Sequence, residues 1–207
     1  MRVATAALWL LASYVLGAIP TSHLVSRIFA NIDLREHGSG NLGATNLYRV
    51  LGWRYAVPVA LFDIAKGAIP VVVFAPSASG STLFALACGV AAIVGHVFSV
   101  FVGFKGGKGV ATAAGVMLGL TPLALGAAAV VWIALVLLTG YVSLGSMVAA
   151  AVLPVAVYLL EGPVQREILW IAVAIAASVI VLHRRNIQRL IEGTENRVGR
   201  RATSAPR

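Results

Sequence analysis

Seven apolar stretches joined by short polar segments leave this chain few ways to fold. They lie around Ala4–Leu24, Tyr55–Ala75, Thr82–Val102, Val110–Leu120, Pro122–Leu138, Ser143–Leu160 and Glu167–Leu182. All but one approach the ~20 residues that a helix needs to cross a bilayer. The exception, Val110–Leu120, is short and full of Gly and Ala. It is either a tilted or thin-membrane half-span, or it merges with its neighbour through Thr121-Pro122. Hydrophobic residues make up 59% of the chain and mean hydropathy is +0.92, values that mark an integral membrane protein. The expected fold is therefore all-α, with about seven transmembrane helices.

Charge sets the orientation. With the N-terminus outside and the C-terminus cytoplasmic, seven crossings put all but three of the 16 lysines and arginines on the inner face. Arg2 and Arg166 fall outside, and Lys66 lies within a span. Dropping the short fourth crossing would put either the middle basic segment or the C-terminal tail outside. Residues 1–195 read as one polytopic membrane domain, and 196–207 as a basic, disordered cytoplasmic tail lying near anionic headgroups. The first apolar run continues through Pro20-Thr-Ser-His23, so no cleavable signal peptide is expected. Cys88 is the single cysteine, which excludes a disulfide within the chain and a cysteine-based zinc site. The net charge of +9 does not point to nucleic acid, because the cations flank membrane spans rather than an aromatic-basic soluble surface.

The polar residues gather in three segments, which this topology places on the cytoplasmic face. The first, Gly38-Ser-Gly-Asn-Leu-Gly-Ala-Thr-Asn46 followed by Arg49, combines glycine-exposed amides with small donors. Successive amides in such a turn make an anion nest, and a helix opening near Thr45 would aim its dipole at the same anion. An ordinary interhelical turn would explain Gly-Ser-Gly alone, but not Asn41, Thr45, Asn46 and Arg49 together. The second segment, Gly103-Phe-Lys-Gly-Gly-Lys-Gly109 running on to Thr112, fails the P-loop pattern because Gly109 follows Lys108. Four glycines around two lysines still suit anionic oxygens; positive-inside flanking would explain only the lysines. The third places His183, Asn186, Arg189 and Glu192 at three-residue intervals, one stripe if the last helix continues. Basic anchoring at a span exit is its ordinary explanation.

Within the second span, Asp63 and Lys66 are close enough to pair, either as a functional site or as a structural ion pair between helices. His96 is a lone span histidine, for which an interhelical hydrogen bond is the expected role. No His-x-x-x-x-Asp follows any of the four histidines, and no Gly-x-Ser-x-Gly elbow occurs. Seven acidic residues without a ligand cluster imply no metal and no cofactor.

Together, Gly38–Asn46, Gly95–Thr112 and His183–Glu195, with Phe62-Asp-Ile-Ala-Lys-Gly67 and Tyr141–Met147 between them, resemble the bacterial membrane glycerol-3-phosphate acyltransferases that use acyl-phosphate as donor. The resemblance spans much of residues 17–195; Ser99 stands where that family frequently has proline. It implies transfer of a fatty acyl group from acyl-phosphate to the 1-hydroxyl of sn-glycerol 3-phosphate, giving lysophosphatidic acid and phosphate. This would be the first acylation of phospholipid synthesis, at a bacterial inner membrane. The partners implied are those two substrates and membrane lipid, with no obligate protein partner. Ser39, Asn41, Thr45, His183, Asn186 and Glu192 are the candidate catalytic residues. Gly40, Gly43, Asn46, Arg49, Lys66, Lys105, Gly106, Gly107, Lys108, Thr112, Ser143 and Arg189 are candidates for holding substrate or phosphate. Ser143 and the third segment would place glycerol phosphate. A transporter for an organic phosphate is the rival from another class; it fits poorly because the polar residues pool on one face and no inverted repeat is visible.

Overall fold

A computed structural model describes residues 3–161 and 166–198. The expectations for Arg2, for residues 162–165 and for the tail beyond 198 concern residues outside that range. The described residues are helical, with no strand among them. They fall into two compact units, residues 1–122 and 123–207.

The first unit opens with α1 (Val3–Ala18) and α2 (Thr21–Ala30), followed by α3 (Ala44–Leu51) and α4 (Trp53–Ile69). A π-helical turn, Pro70–Phe74, carries α4 into the short α5 (Ala75–Ala78); then come α6 (Thr82–Val97) and α7 (Val110–Leu120). Helices α1 and α6 pack together, as do α4 and α7. Small residues make the second contact possible. A Cβ on Gly67 would collide with the Thr112 carbonyl, and one on Gly115 with the Ile64 carbonyl. Without a hydrophobic drive between helices in lipid, such close backbone approach supplies much of the attraction.

The second unit contains α8 (Pro122–Thr139), α9 (Val142–Leu160), α10 (Arg166–Leu182) and α11 (Arg184–Ile191). Its main helix contact is between α9 and α10. Glu161, at the end of α9, accepts the Ala124 amide at 2.8 Å and so satisfies a first-turn donor of α8.

All seven apolar stretches are helical, but the first expected span is broken and the last helix bends just past its span. Four helices are long and apolar enough to cross a membrane, or up to six if each bent pair counts as one span. The first pair, α1 and α2, bends by 41° at Ile19-Pro20. Proline has no amide to donate and crowds the preceding turn, which ends α1 there. The second pair, α10 and α11, bends by 55° at His183. The continuous helical stripe expected through His183, Asn186 and Arg189 is thus interrupted at its first member. Helix α7 has 11 residues, roughly 16 Å, which is short of a bilayer core.

The bend between α1 and α2 exposes the Ile19 carbonyl to a buried cation. Lys66 Nζ donates to it at 2.9 Å and pairs with Asp63 Oδ1 at 2.8 Å. Thr21 Oγ1 donates to the same carboxylate oxygen at 3.2 Å. Lys66 is 1% exposed. The cation expected to reach phosphate is instead enclosed, and it ties the broken first span to α4. This geometry is that of a structural ion pair. Removing one partner of a buried pair costs about 3–5 kcal/mol, whereas replacing both with apolar groups can be nearly neutral. Lys66→Met should therefore destabilise strongly, and Lys66→Met with Asp63→Leu should recover most of the loss. Thermal unfolding in detergent reads both; a single variant as stable as the parent would contradict the clasp.

Candidate active site

In the first unit, the chain between α2 and α3 is shaped by its own side chains. Asp33 caps a 3-10 turn, Leu34–Glu36, accepting the Arg35 amide at 3.0 Å. Its carboxylate also meets the guanidinium groups of Arg35 at 2.6 Å and Arg27 at 2.9 Å. Hydrogen bonds from the Arg35 side chain and amide outweigh burial and hold the Asp33 carboxyl well below the usual carboxylate range. Beyond the turn, Gly38 and Gly40 take left-handed conformations, at φ +61° and +71°. The buried Asn46 then reaches back across the loop. Its Oδ1 accepts the Ser39 amide at 2.8 Å, and its Nδ2 donates to the carbonyls of His37 at 2.9 Å and Leu34 at 3.2 Å. Asn46 was expected to touch phosphate; its amide group is instead occupied in shaping the loop that presents Ser39.

Gly43 sits at the N-cap of α3, one residue before the helix start. Asn41 and Thr45 are half-buried at this end, where first-turn amides lack intrahelical acceptors. Thr45 and Arg49 are four residues apart on α3 and so share a face. First-turn amides beside small polar side chains suit an anion.

The second segment departs from expectation at its glycines. The amides of Gly106 and Gly107 donate to the carbonyls of Val97 and His96, at 3.0 and 3.1 Å. They fasten the loop to the end of α6 and do not form a nest. The need for glycine is steric. A Cβ on Gly107 would strike both the His96 ring and the Leu42 carbonyl, and one on Gly106 would strike the His96 carbonyl. Since Leu42 belongs to the first loop, Gly107 is where the two loops meet. Lys105 is exposed and Lys108 half-buried on this loop, while Thr112 is fully buried on α7. His96, the expected interhelical hydrogen-bonder, supports the second loop through its carbonyl.

In the second unit, the organising group is a carboxylate that helical phasing missed. Glu195 is buried, and Oε1 accepts Ser143 Oγ at 2.8 Å and Asn186 Nδ2 at 2.7 Å. Arg189 Nε meets Oε2 at 2.7 Å. Burial alone would raise the Glu195 carboxyl; hydrogen bonds from Arg189, Asn186 and Ser143 outweigh it and hold the group below its ordinary value. Glu192, expected to complete this stripe, is exposed and accepts the Gln188 amide at 2.9 Å. The reason lies in Gly193, at φ +70°, where the chain leaves the helix. The Thr194 and Glu195 amides then return to the Arg189 carbonyl, folding Glu195 inward. Glycine just after the last helical residues was the available signal. Buried His183 lies at the bend, its Nδ1 2.7 Å from the Val179 carbonyl oxygen. That contact requires an Nδ1–H donor, which leaves Nε2 as the acceptor nitrogen of the neutral ring.

Each unit thus holds a preorganised polar group. One has two touching loops bearing Ser39, Lys105 and Lys108, with Arg49 on the adjoining α3; the other has Ser143, Asn186 and Arg189 around Glu195, with His183 at the bend before α11. Residues 7–193 match a family model described as glycerol-3-phosphate acyltransferase. A glycerol-3-phosphate acyltransferase 2 of Bacillus anthracis is 46% identical over 191 residues, covering 92% of this chain and 98% of its own. A glycerol-3-phosphate acyltransferase of Geobacter sulfurreducens is 47% identical over 186 residues, covering 89% and 93%. Among solved structures, the crystal structure of PlsY, an integral membrane glycerol 3-phosphate acyltransferase, aligns in its glycerol 3-phosphate form with a TM-score of 0.87. The identity there is 38%, over 94% of this chain and 96% of that one. Its lysophosphatidic acid form aligns at 0.84 and 36% identity, over 94% and 95%. The chain belongs to the glycerol-3-phosphate acyltransferase family, as an integral membrane enzyme of the PlsY kind.

Proposed function

We propose that this acyltransferase takes its acyl group from acyl-phosphate and delivers it to the 1-hydroxyl of sn-glycerol 3-phosphate. The products are lysophosphatidic acid and inorganic phosphate, and the reaction is the first acylation of phospholipid synthesis. The observation that carries this reading is the state of the carboxylates. Of the seven carboxylates, Asp33, Asp63 and Glu195 are closed into ion pairs, Glu161 and Glu192 accept amide donors, and Glu36 and Glu167 are exposed at the surface. His183 faces a carbonyl rather than an acid across its Nδ1. Chemistry built this way suits a donor that is already activated. Acyl-phosphate is a mixed anhydride whose leaving group departs as phosphate, so the protein's task is to orient two anions and offset their repulsion.

In this account Ser39, Asn41, Thr45 and the first-turn amides of α3 hold one phosphate, with Arg49, Lys105 and Lys108 supplying charge. Ser143, His183, Asn186 and Arg189 place glycerol phosphate. The hydroxyl attacks the acyl carbonyl directly; the carbon–oxygen bond to phosphate breaks, and a donor phosphate oxygen takes the hydroxyl proton. His183 Nε2 accepts a hydrogen bond and orients the nucleophile. A carbonyl at Nδ1 gives an imidazolium less support than a carboxylate would, which favours orientation over proton abstraction. His183→Gln can still hydrogen-bond but cannot accept a proton at neutral pH. It should keep measurable activity with no imidazole limb in its pH profile. Complete loss of turnover in a folded His183→Gln enzyme would assign the base to His183.

The same reading gives seven crossings of a bacterial inner membrane, with the N-terminus outside and the polar segments and C-terminus cytoplasmic. Single-cysteine labelling in a Cys88→Ala background should find Ser39→Cys and Gly103→Cys accessible from the same, inner face; labelling from opposite faces would end this topology. The function itself is tested with purified protein in detergent. Phosphate release should require both substrates and no vesicle. Release or translocation seen only across a sealed membrane would favour a transporter.

A further inference from the structure

We propose that Asp33 is a positioning residue for the reaction, setting the geometry of the Ser39 loop from outside the site. The inference rests on the reading that this loop holds a substrate phosphate. Three observations lead to it. Asp33 is 7% exposed, although it lies in a connection between helices, and both oxygens are in use. Its carboxylate joins Arg27, in the last turn of α2, to Arg35, on the 3-10 turn, with His23 Nδ1 3.6 Å away. Its own carbonyl oxygen lies 2.8 Å from His37 Nδ1, which donates to it. His37 immediately precedes Gly38, and the His37 carbonyl is one of the two that Asn46 binds.

A continuous chain of contacts therefore runs from α2 through Asp33 and His37 to Asn46 and the Ser39 amide. The Arg35 carbonyl adds a second route, since Gly40 packs against it closely enough that a Cβ there would stand 3.0 Å away. Short of Ser39 itself, no member of this chain is assigned to a substrate phosphate in the account above. Asp33 also pairs the charges of two arginines that precede this loop in sequence. Its ionised state is secure through the neutral and mildly acidic range, because Arg35 holds the carboxyl down.

Asp33→Asn preserves shape and one acceptor oxygen but removes the charge that gathers Arg27 and Arg35. The full-length variant in detergent should keep its melting temperature within a few degrees and raise KM for one phosphate substrate by about tenfold or more. The other KM and kcat should stay within about threefold, a split that general loss of folding does not produce. Asp33→Glu should recover part of the affinity. Hydrogen exchange supplies a readout free of the donor's identity: amides of 37–42 should exchange faster in Asp33→Asn while those of α1, α4 and α6 do not change. Parent-like exchange in that segment, or equal loss of both affinities alongside a lowered melting temperature, would overturn the proposal. If the parent enzyme releases no phosphate from acyl-phosphate, the donor reading fails by itself, and the exchange arm still decides the role of Asp33.

Discussion

Arg49→Ala combined with Lys105→Ala should lower kcat/KM by about a hundredfold or more while leaving the protein folded. Each side chain is read as a charge-assisted contact to a substrate phosphate, worth about 1.5–3 kcal/mol. Two such losses together reach about 3 kcal/mol at the lower limit, or more than a hundredfold in rate constant. Lys105 is exposed at the rim of the second loop, so truncating it removes no packing. Arg49 lies in the last turn of α3, four residues from Thr45, and is half-buried. Lys105 is on the second loop and Arg49 on the helix that follows the first, and the two loops meet at Leu42 and Gly107, so their effects should couple. Steady-state kinetics on the two single variants and the double variant measure this. Near-normal kinetics in a folded double variant would remove the electrostatic account.

The second large effect is on stability. Glu195→Ala leaves Arg189 without its carboxylate and strands the donors of Ser143 and Asn186. Breaking a buried charge pair costs about 3–5 kcal/mol, and the Arg189 side chain, 29% exposed, moves this toward the lower end. For a chain of this size the melting temperature should fall by about 6–12 °C. Glu195→Gln keeps an acceptor for Ser143 and Asn186 and should lose less. The pH dependence has a definite sign. Because the folded carboxyl is held below its ordinary value, its contribution is fully present above the ordinary carboxylate range. It is lost as pH falls through the lowered folded value. Parent and Glu195→Ala melting temperatures should therefore differ most at neutral pH and converge in strong acid. A gap that is absent at neutral pH would contradict the role given to Glu195.

Periodicity and hydropathy made the helical, membrane-embedded nature of the chain legible, and three motifs in order made the family legible. What they concealed has a common cause: a polar residue's type shows what it can bind, not what already binds it. Lys66 looked like a phosphate cation, yet Asp63 and the Ile19 carbonyl enclose it. Asn46 looked like a donor to substrate, yet its amide holds the first loop together. Gly106 and Gly107 looked like a nest, yet their amides face Val97 and His96 and their missing side chains let two loops touch. Helical phasing carried past Gly193 points to Glu192, whereas the backbone turns out of the helix there and brings Glu195 inward. The bend at Pro20 had a visible proline, but hydropathy runs through it unbroken. Ser39 in the first unit, and Ser143, His183, Asn186 and Arg189 in the second, stay candidates for the chemistry the motifs suggested.

Direct transfer from acyl-phosphate, without an acyl-enzyme, is the central claim. Its most direct measurement is rapid mixing of purified enzyme with acyl-phosphate alone, following phosphate release before any glycerol 3-phosphate is added. The account predicts no burst, then release in step with lysophosphatidic acid once glycerol 3-phosphate is present. A burst equal to the enzyme concentration, with the acyl group recovered on Ser39 or Thr45, would contradict it.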